Sequence, residues 1–147
     1  MLKVYLDTCS IQRPLDTLSQ TRIRLEVEAV LGVLERVKAG EVALVSSTVL
    51  EMETARNPLI VRREHGEQVL SRAVSVVFVD EQIARRASAF VQHGIQATDA
   101  LHLAVAEAEG ADYFCTCDDR FLRRALTIGD LQIAIVSPLE LIEKMES

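Results

Sequence analysis

Five short apolar runs punctuate this chain, Leu2 to Leu6, Val42 to Val45, Val74 to Val79, Tyr113 to Thr116 and Ile133 to Val136, with stretches too long for hairpin turns between most of them. Between the first two, Ile23, Val27, Leu31, Leu34 and Val37 recur at three or four residues, the spacing that gives a helix one buried face. Strands alternating with helices return each strand to the same side of the sheet. The pattern therefore predicts an α/β fold, a right-handed, mostly parallel sandwich. The 147 residues suffice for one hydrophobic core, and no repeat, linker or low-complexity tract divides them, so residues 1–147 read as a single domain.

Local signals place the element ends. Gly40, Gly94 and Gly110 each follow a helical stripe where a C′ residue is expected, and Asn57-Pro58 stops the helix that begins near Ser46 to Thr48. Ser10 to Gln20 is polar and contains Pro14, which reads as a connection; Leu59 to Ala73 reads as a more polar helix. Asp80 fits an N-cap, and Ser137-Pro138-Leu139-Glu140 has Ser at the cap, Pro at N1 and Glu at N3.

Composition removes several classes of function. No apolar run approaches the roughly 18 to 20 residues that a spanning helix needs, and Lys3 and Asp7 interrupt the N-terminus too early for a signal peptide. The expectation is a cytoplasmic protein without a membrane partner. Cys9, Cys115 and Cys117 are then reduced thiols, and Cys115-x-Cys117 lacks the second ligand pair of a zinc site. A net charge of −6 opposes broad electrostatic capture of nucleic acid. That argument fails locally if several acids share a pocket with a divalent cation, since the site is then positive where the chain is not. The arginines fall in groups, Arg22 with Arg24, Arg62 with Arg63, Arg85 with Arg86, and Arg120 with Arg123 and Arg124, which read first as solvated helix faces.

The acids carry the functional signal. Asp7 ends the first strand, Asp118 follows the fourth, Asp99 opens a helix after Thr98, and Glu51 lies one turn into the helix after the second strand. Each has a cap or turn reading of its own. For Glu51 this is a capping box, Thr48-Val49-Leu50-Glu51, in which the glutamate bonds back to the cap amide. His102 can share a face with Asp99, but a lone helical histidine reads first as packed or solvated. Cap readings taken singly do not explain why acids gather at one edge of the sheet. Carboxylates brought together repel unless a cation neutralises them, so the set points to a hard metal ion.

Val4-Tyr5-Leu6-Asp7-Thr8, Ser46 to Glu51, Asp99 to Ala104 and Thr116-Cys117-Asp118-Asp119-Arg120-Phe121, in that order, resemble the motifs of the PIN-domain nucleases, including VapC-type toxins. The resemblance spans the chain from Val4 to the last strand. It implies a three-layer α/β/α PIN-like fold and a Mg²⁺- or Mn²⁺-dependent endoribonuclease. Asp7, Glu51, Asp99 and Asp118 match the family's acidic positions, with Thr8 and Thr116 at its supporting hydroxyls. Asp7, Asp99 and Asp118 are then expected to hold the metal, with Glu51 positioning a water or a second ion. Asp119 is an alternative to Asp118, and Glu53 to Glu51. The resemblance also implies an RNA substrate, an antitoxin protein and a homodimer as partners. The alternative function is a PIN-like module that binds RNA or protein without catalysis. Two other enzyme families with acids at strand ends do not fit: a haloacid-dehalogenase phosphatase would carry Asp where Cys9 stands, and a receiver domain Lys where Ser137 precedes Pro138.

Overall fold

A computed structural model describes all residues, Met1 to Ser147. Five strands form one parallel sheet in the order β3-β2-β1-β4-β5. They are β1 (Lys3–Leu6), β2 (Ala43–Ser47), β3 (Ser75–Val77), β4 (Tyr113–Cys115) and β5 (Ala134–Val136). The expected mostly parallel sheet is wholly parallel, with Tyr5 opposite Val45 on one side and Phe114 on the other. Central strands of such a sheet are covered on both faces and need continuous apolar sequence. Val4, Tyr5, Leu6, Leu44, Val45, Phe114 and Cys115 are accordingly buried.

Eight helices complete the three layers: α1 (Thr8–Gln12), α2 (Thr21–Lys38), α3 (Thr48–Ala55), α4 (Ile60–Leu70), α5 (Glu81–Val91), α6 (Ala97–Glu109), α7 (Asp119–Ala125) and α8 (Pro138–Glu146). Helices α5 and α6 pack together, with α6 against β2 and β3, while α2 packs on α8, which lies against β4 and β5. The expected stops are present: Gly110 is the left-handed C-cap of α6, and Gly40 has φ of 76° just beyond α2. A side chain at either position would strain the backbone. Asp80 caps α5 and Ser137 closes a full capping box at α8.

Two local readings are corrected. The first part of the polar stretch, Ser10 to Leu15, is helical, with α1 running directly into a 3-10 turn at Arg13–Leu15, and only Asp16 to Gln20 serves as the connection. A five-residue helix before a proline is too short to show an apolar period, which is why the sequence reads as a connection. The N-cap of α3 is Ser47, one residue earlier than the capping-box reading requires, and its side chain accepts from the Leu50 amide. Glu51 therefore lies beyond N3 and accepts a hydrogen bond from Ser46 Oγ at 3.1 Å.

Helices α3 and α4 approach closely at Gly66. A methyl group built there would stand 2.6 Å from Thr54 Cγ2, and Thr54 is buried and branched at Cβ. Gly66→Ala should lower unfolding free energy by about 1–3 kcal/mol, the usual cost of overpacking, as measured by urea denaturation.

Candidate active site

The order of strands reverses at β1: β2 and β3 extend the sheet on one side, β4 and β5 on the other. In parallel sheets a crevice opens at the carboxyl ends of strands where the order reverses. Here a cleft of about 510 Å³ is lined by Asp7, Thr8, Asp16, Glu53, Arg62, Asp99, His102 and Asp118 among others. Asp7 leaves the end of β1, Asp118 follows β4, Asp99 lies in the first turn of α6, and Glu53 projects from α3. Three acids expected from the sequence, Asp7, Asp99 and Asp118, therefore share one cleft. Glu51 does not line it, and Glu53 does. Two residues along a helix turn by about 200°, so only one of these glutamates can face the cleft.

Asp7 is buried and fixed. Its Oδ1 accepts the Ser10 amide at 3.0 Å and the Cys9 thiol at 3.1 Å, so it is also the N-cap of α1. Burial pushes its carboxyl above the ordinary aspartate value, opposed by hydrogen bonds from Thr116, Cys9 and Ser10. Asp99 is likewise raised, by partial burial first and then by the negative charges of Asp7, Asp118 and Glu53, with His102 acting in the opposite direction. Asp118 Oδ1 accepts the amides of Arg120 and Phe121, capping α7. The cap reading and the site reading are thus both correct for Asp7 and Asp118. A cap orients the carboxylate and does not exhaust its oxygens, each of which has more than one acceptor direction.

Asp119 faces elsewhere. Arg22 holds it through two guanidinium hydrogen bonds, one of 2.7 Å from Nη2, and this pairing lowers its pKa. It lines neither the acid cleft nor the smaller adjoining pocket formed by Gly94, Gln96, Asp99, Asp118, Arg120 and Arg124. Several other arginines are paired within the chain: Arg13 with Asp16 and Glu26, Arg62 with Asp16, Arg63 with Glu67, Arg85 with Glu81, and Arg86 with Glu107 and Asp130. Arg120 and Arg124 border the adjoining pocket, and Arg124 donates to the Gly94 carbonyl.

A buried polar chain holds Glu53, and the sequence did not announce it. Thr8 Oγ1 donates to Glu53 Oε1 at 2.8 Å; the same oxygen meets His102 Nε2. His102 Nδ1 is 2.6 Å from the Tyr5 hydroxyl, which is 2.8 Å from Ser47 Oγ. A carboxylate can only accept, so Nε2 carries a proton, and in the neutral ring Nδ1 accepts from Tyr5. Burial pushes the Tyr5 phenol far up, so it remains a donor. Burial would raise Glu53, but the hydrogen bonds from His102 and from the Thr8 hydroxyl hold it below the usual glutamate value. His102 is packed as expected, yet it orients a cleft acid. The available signal was its spacing of three from Asp99, which puts both on one face of α6. The supporting hydroxyls divide: Thr8 lines the cleft, while Thr116 accepts the Asp118 amide at 3.0 Å beneath it.

The donor set suits a hard divalent cation, since the facing groups are carboxylate oxygens and the charges of Asp7, Asp118 and Glu53 disfavour ionisation of Asp99. No three acid, imidazole or thiol groups stand together as a ready-made ligand cage. Mg²⁺ does not require one, because it keeps several waters and is commonly bound through one or two carboxylates.

The PIN domain model matches residues 4–126. The chain belongs to the PIN domain family. The matched segment contains all five acids of the cleft wall, Asp7, Asp16, Glu53, Asp99 and Asp118. Similar solved structures include a chain of VapBC2 from Rickettsia felis bound to a DNA fragment from their promoter, at 15% identity and TM-score 0.60, covering 92% of this chain and 98% of that one. A chain of VapBC-1 from nontypeable Haemophilus influenzae is 16% identical with TM-score 0.57, covering 94% and 99%. PAE2754 from Pyrobaculum aerophilum is 18% identical with TM-score 0.54, covering 99% and 90%. At such identities the likeness is one of fold, and it agrees with the three-layer architecture. No curated protein matches the sequence. No helix is long and apolar enough to cross a membrane.

Proposed function

We propose that this PIN domain is a Mg²⁺- or Mn²⁺-dependent endoribonuclease that hydrolyses RNA phosphodiester bonds at the acid cleft, and that it acts as the toxin of a toxin-antitoxin pair in the cytoplasm. The observation that carries the reading is the convergence of Asp7, Asp99 and Asp118, from three separate crossovers, with Glu53 facing them. A fold has no reason to place repelling acids together at a solvent-accessible crevice unless a cation offsets them.

Asp7, Asp99 and Asp118 would hold the metal, directly or through water. A divalent ion supplies charge neutralisation at the phosphoryl group and a water activated near neutral pH. Glu53, ionised and held by His102 and Thr8, is placed to accept a hydrogen bond from a water entering the cleft. Glu51, hydrogen-bonded to Ser46 outside the cleft wall, has no such position. The toxin assignment is supported by likeness to chains of VapBC structures; it implies an antitoxin partner and a homodimer.

Cleavage of defined tRNA and mRNA pools with Mg²⁺ or Mn²⁺, beside Asp99→Asn, tests the activity. Calorimetric titration with Mn²⁺ should show binding at millimolar metal or below. Absence of both cleavage and binding would favour a PIN-like module that works by contact alone.

A further inference from the structure

Two thiols, Cys9 and Cys117, meet where the segments carrying Asp7 and Asp118 leave the sheet. Leu6 and Cys115 are partners in the parallel register of β1 and β4, so the chain departs from both strands side by side. Cys9 follows Asp7 in the first turn of α1, and Cys117 immediately precedes Asp118. Contacts between the two segments are reciprocal. Cys9 Sγ lies 3.7 Å from Thr116 Oγ1, and Cys117 Sγ lies 3.8 Å from Ser10 Oγ, so each sulfur touches the neighbour of the other. The two thiols are themselves hydrogen-bond partners. Ser10 Oγ and the Asp7 amide both donate to the Cys115 carbonyl, at 3.1 and 3.2 Å, which holds the segments together.

The three cysteines differ in access. Cys9 is exposed and lines the acid cleft, whereas Cys115 is wholly buried in β4 with the Ser10 hydroxyl against its sulfur. A thiol so enclosed behaves as a small inert hydrophobe, which accounts for Cys115. Cys117 is buried too, but its sulfur is in contact with the one that solvent reaches. Cys9 also donates to Asp7 Oδ1 at 3.1 Å, a bond that only the reduced thiol can make.

We propose that Cys9 and Cys117 form a reversible modification site, oxidised by hydrogen peroxide to a disulfide that lowers the affinity of the acid cleft for divalent metal. The Cys9 sulfur attacks one peroxide oxygen, the O–O bond breaks, water leaves, and the sulfur becomes a sulfenic acid. The Cys117 sulfur then attacks the Cys9 sulfur, the S–O bond breaks, and a second water leaves. The thiol pair loses two electrons and the peroxide gains them. The consequence for the cleft rests on the metal-dependent reading given above. A bridged sulfur has no proton, so Asp7 Oδ1 loses a donor, and the link fixes the spacing of the segments that carry Asp7 and Asp118. Loss of an outer partner of a metal-binding group lowers metal affinity by about 10- to 100-fold.

The reduced full chain, treated with an equimolar amount of hydrogen peroxide in the absence of metal, should lose two hydrogen atoms from its intact mass and regain them with dithiothreitol. Cys115→Ala should behave as the parent, whereas Cys9→Ser and Cys117→Ser should form no bridge. Calorimetric titration with Mn²⁺ should give a dissociation constant at least about tenfold higher for the bridged chain than for the reduced one. An unchanged mass, bridging that survives Cys117→Ser, or equal Mn²⁺ affinity in the two forms would overturn the proposal. Bridging without any Mn²⁺ binding by the reduced chain would overturn the metal-dependent reading, and with it the effect on affinity, while the bridge itself stands on its mass.

Discussion

Asp99→Asn should reduce metal-dependent RNA cleavage by about 10³-fold or more, equivalent to about 4 kcal/mol of transition-state stabilisation. The fold should not suffer. Asp99 is only partly buried, and its ionisation is opposed by burial and by Asp7, Asp118 and Glu53, so a neutral amide removes repulsion. For a carboxylate whose folded pKa is raised, the cost of ionisation appears as pH rises from the ordinary aspartate value through the folded one. Without metal, the variant should therefore melt at or above the parent's temperature at pH 7, and that advantage should vanish below the ordinary aspartate value. A residue with a purely structural role would lose stability and activity together. Retained cleavage in Asp99→Asn would refute the assignment.

A pair of glutamate variants should separate the two candidates on α3. Glu53→Gln is expected to lower cleavage by about 10²-fold, within the range for loss of a positioned acid or base. Glu51→Gln should change it less than about fivefold, since one part-buried hydrogen bond contributes about 1 kcal/mol. The comparison is controlled by the helix itself: both changes are isosteric and stand two residues apart in the same eight-residue segment. A larger loss at Glu51 than at Glu53 would restore the original expectation. Steady-state cleavage of one defined RNA by all three proteins decides it.

Why Glu53 rather than Glu51 lines the cleft follows from how helix phase is set. Ser46, Ser47 and Thr48 are all competent N-caps, and the choice among them decides which later residues face the sheet. Ser47 caps the helix while the Tyr5 hydroxyl approaches its Oγ from β1, a contact 42 residues distant in sequence. No local signal could have reported it. For His102 the one local signal was its spacing of three from Asp99, since its partners come from β1 and α3. Asp7, Asp99 and Asp118 were legible for the opposite reason. They sit where an apolar run or helical stripe begins or ends, and the parallel topology then puts such ends at the mouth of the crevice. Strand positions were legible wherever both faces are buried. At β3 only three residues are regular, although the apolar run is longer.

The reversal of strand order at β1 has a bearing on when the protein can act. Strand β1 is made first, yet β4, beside it, spans Tyr113–Cys115. Until that stretch has left the ribosome, Asp7 has a solvent-filled gap on one side, and Asp118 has not been made. A nascent chain carrying β1, β2 and β3 possesses Asp7 and Glu53 but no cleft between them and the missing half. Synthesis of the C-terminal third thus sets when the cleft can form, and a product truncated before β4 lacks both Asp118 and the strand that flanks Asp7.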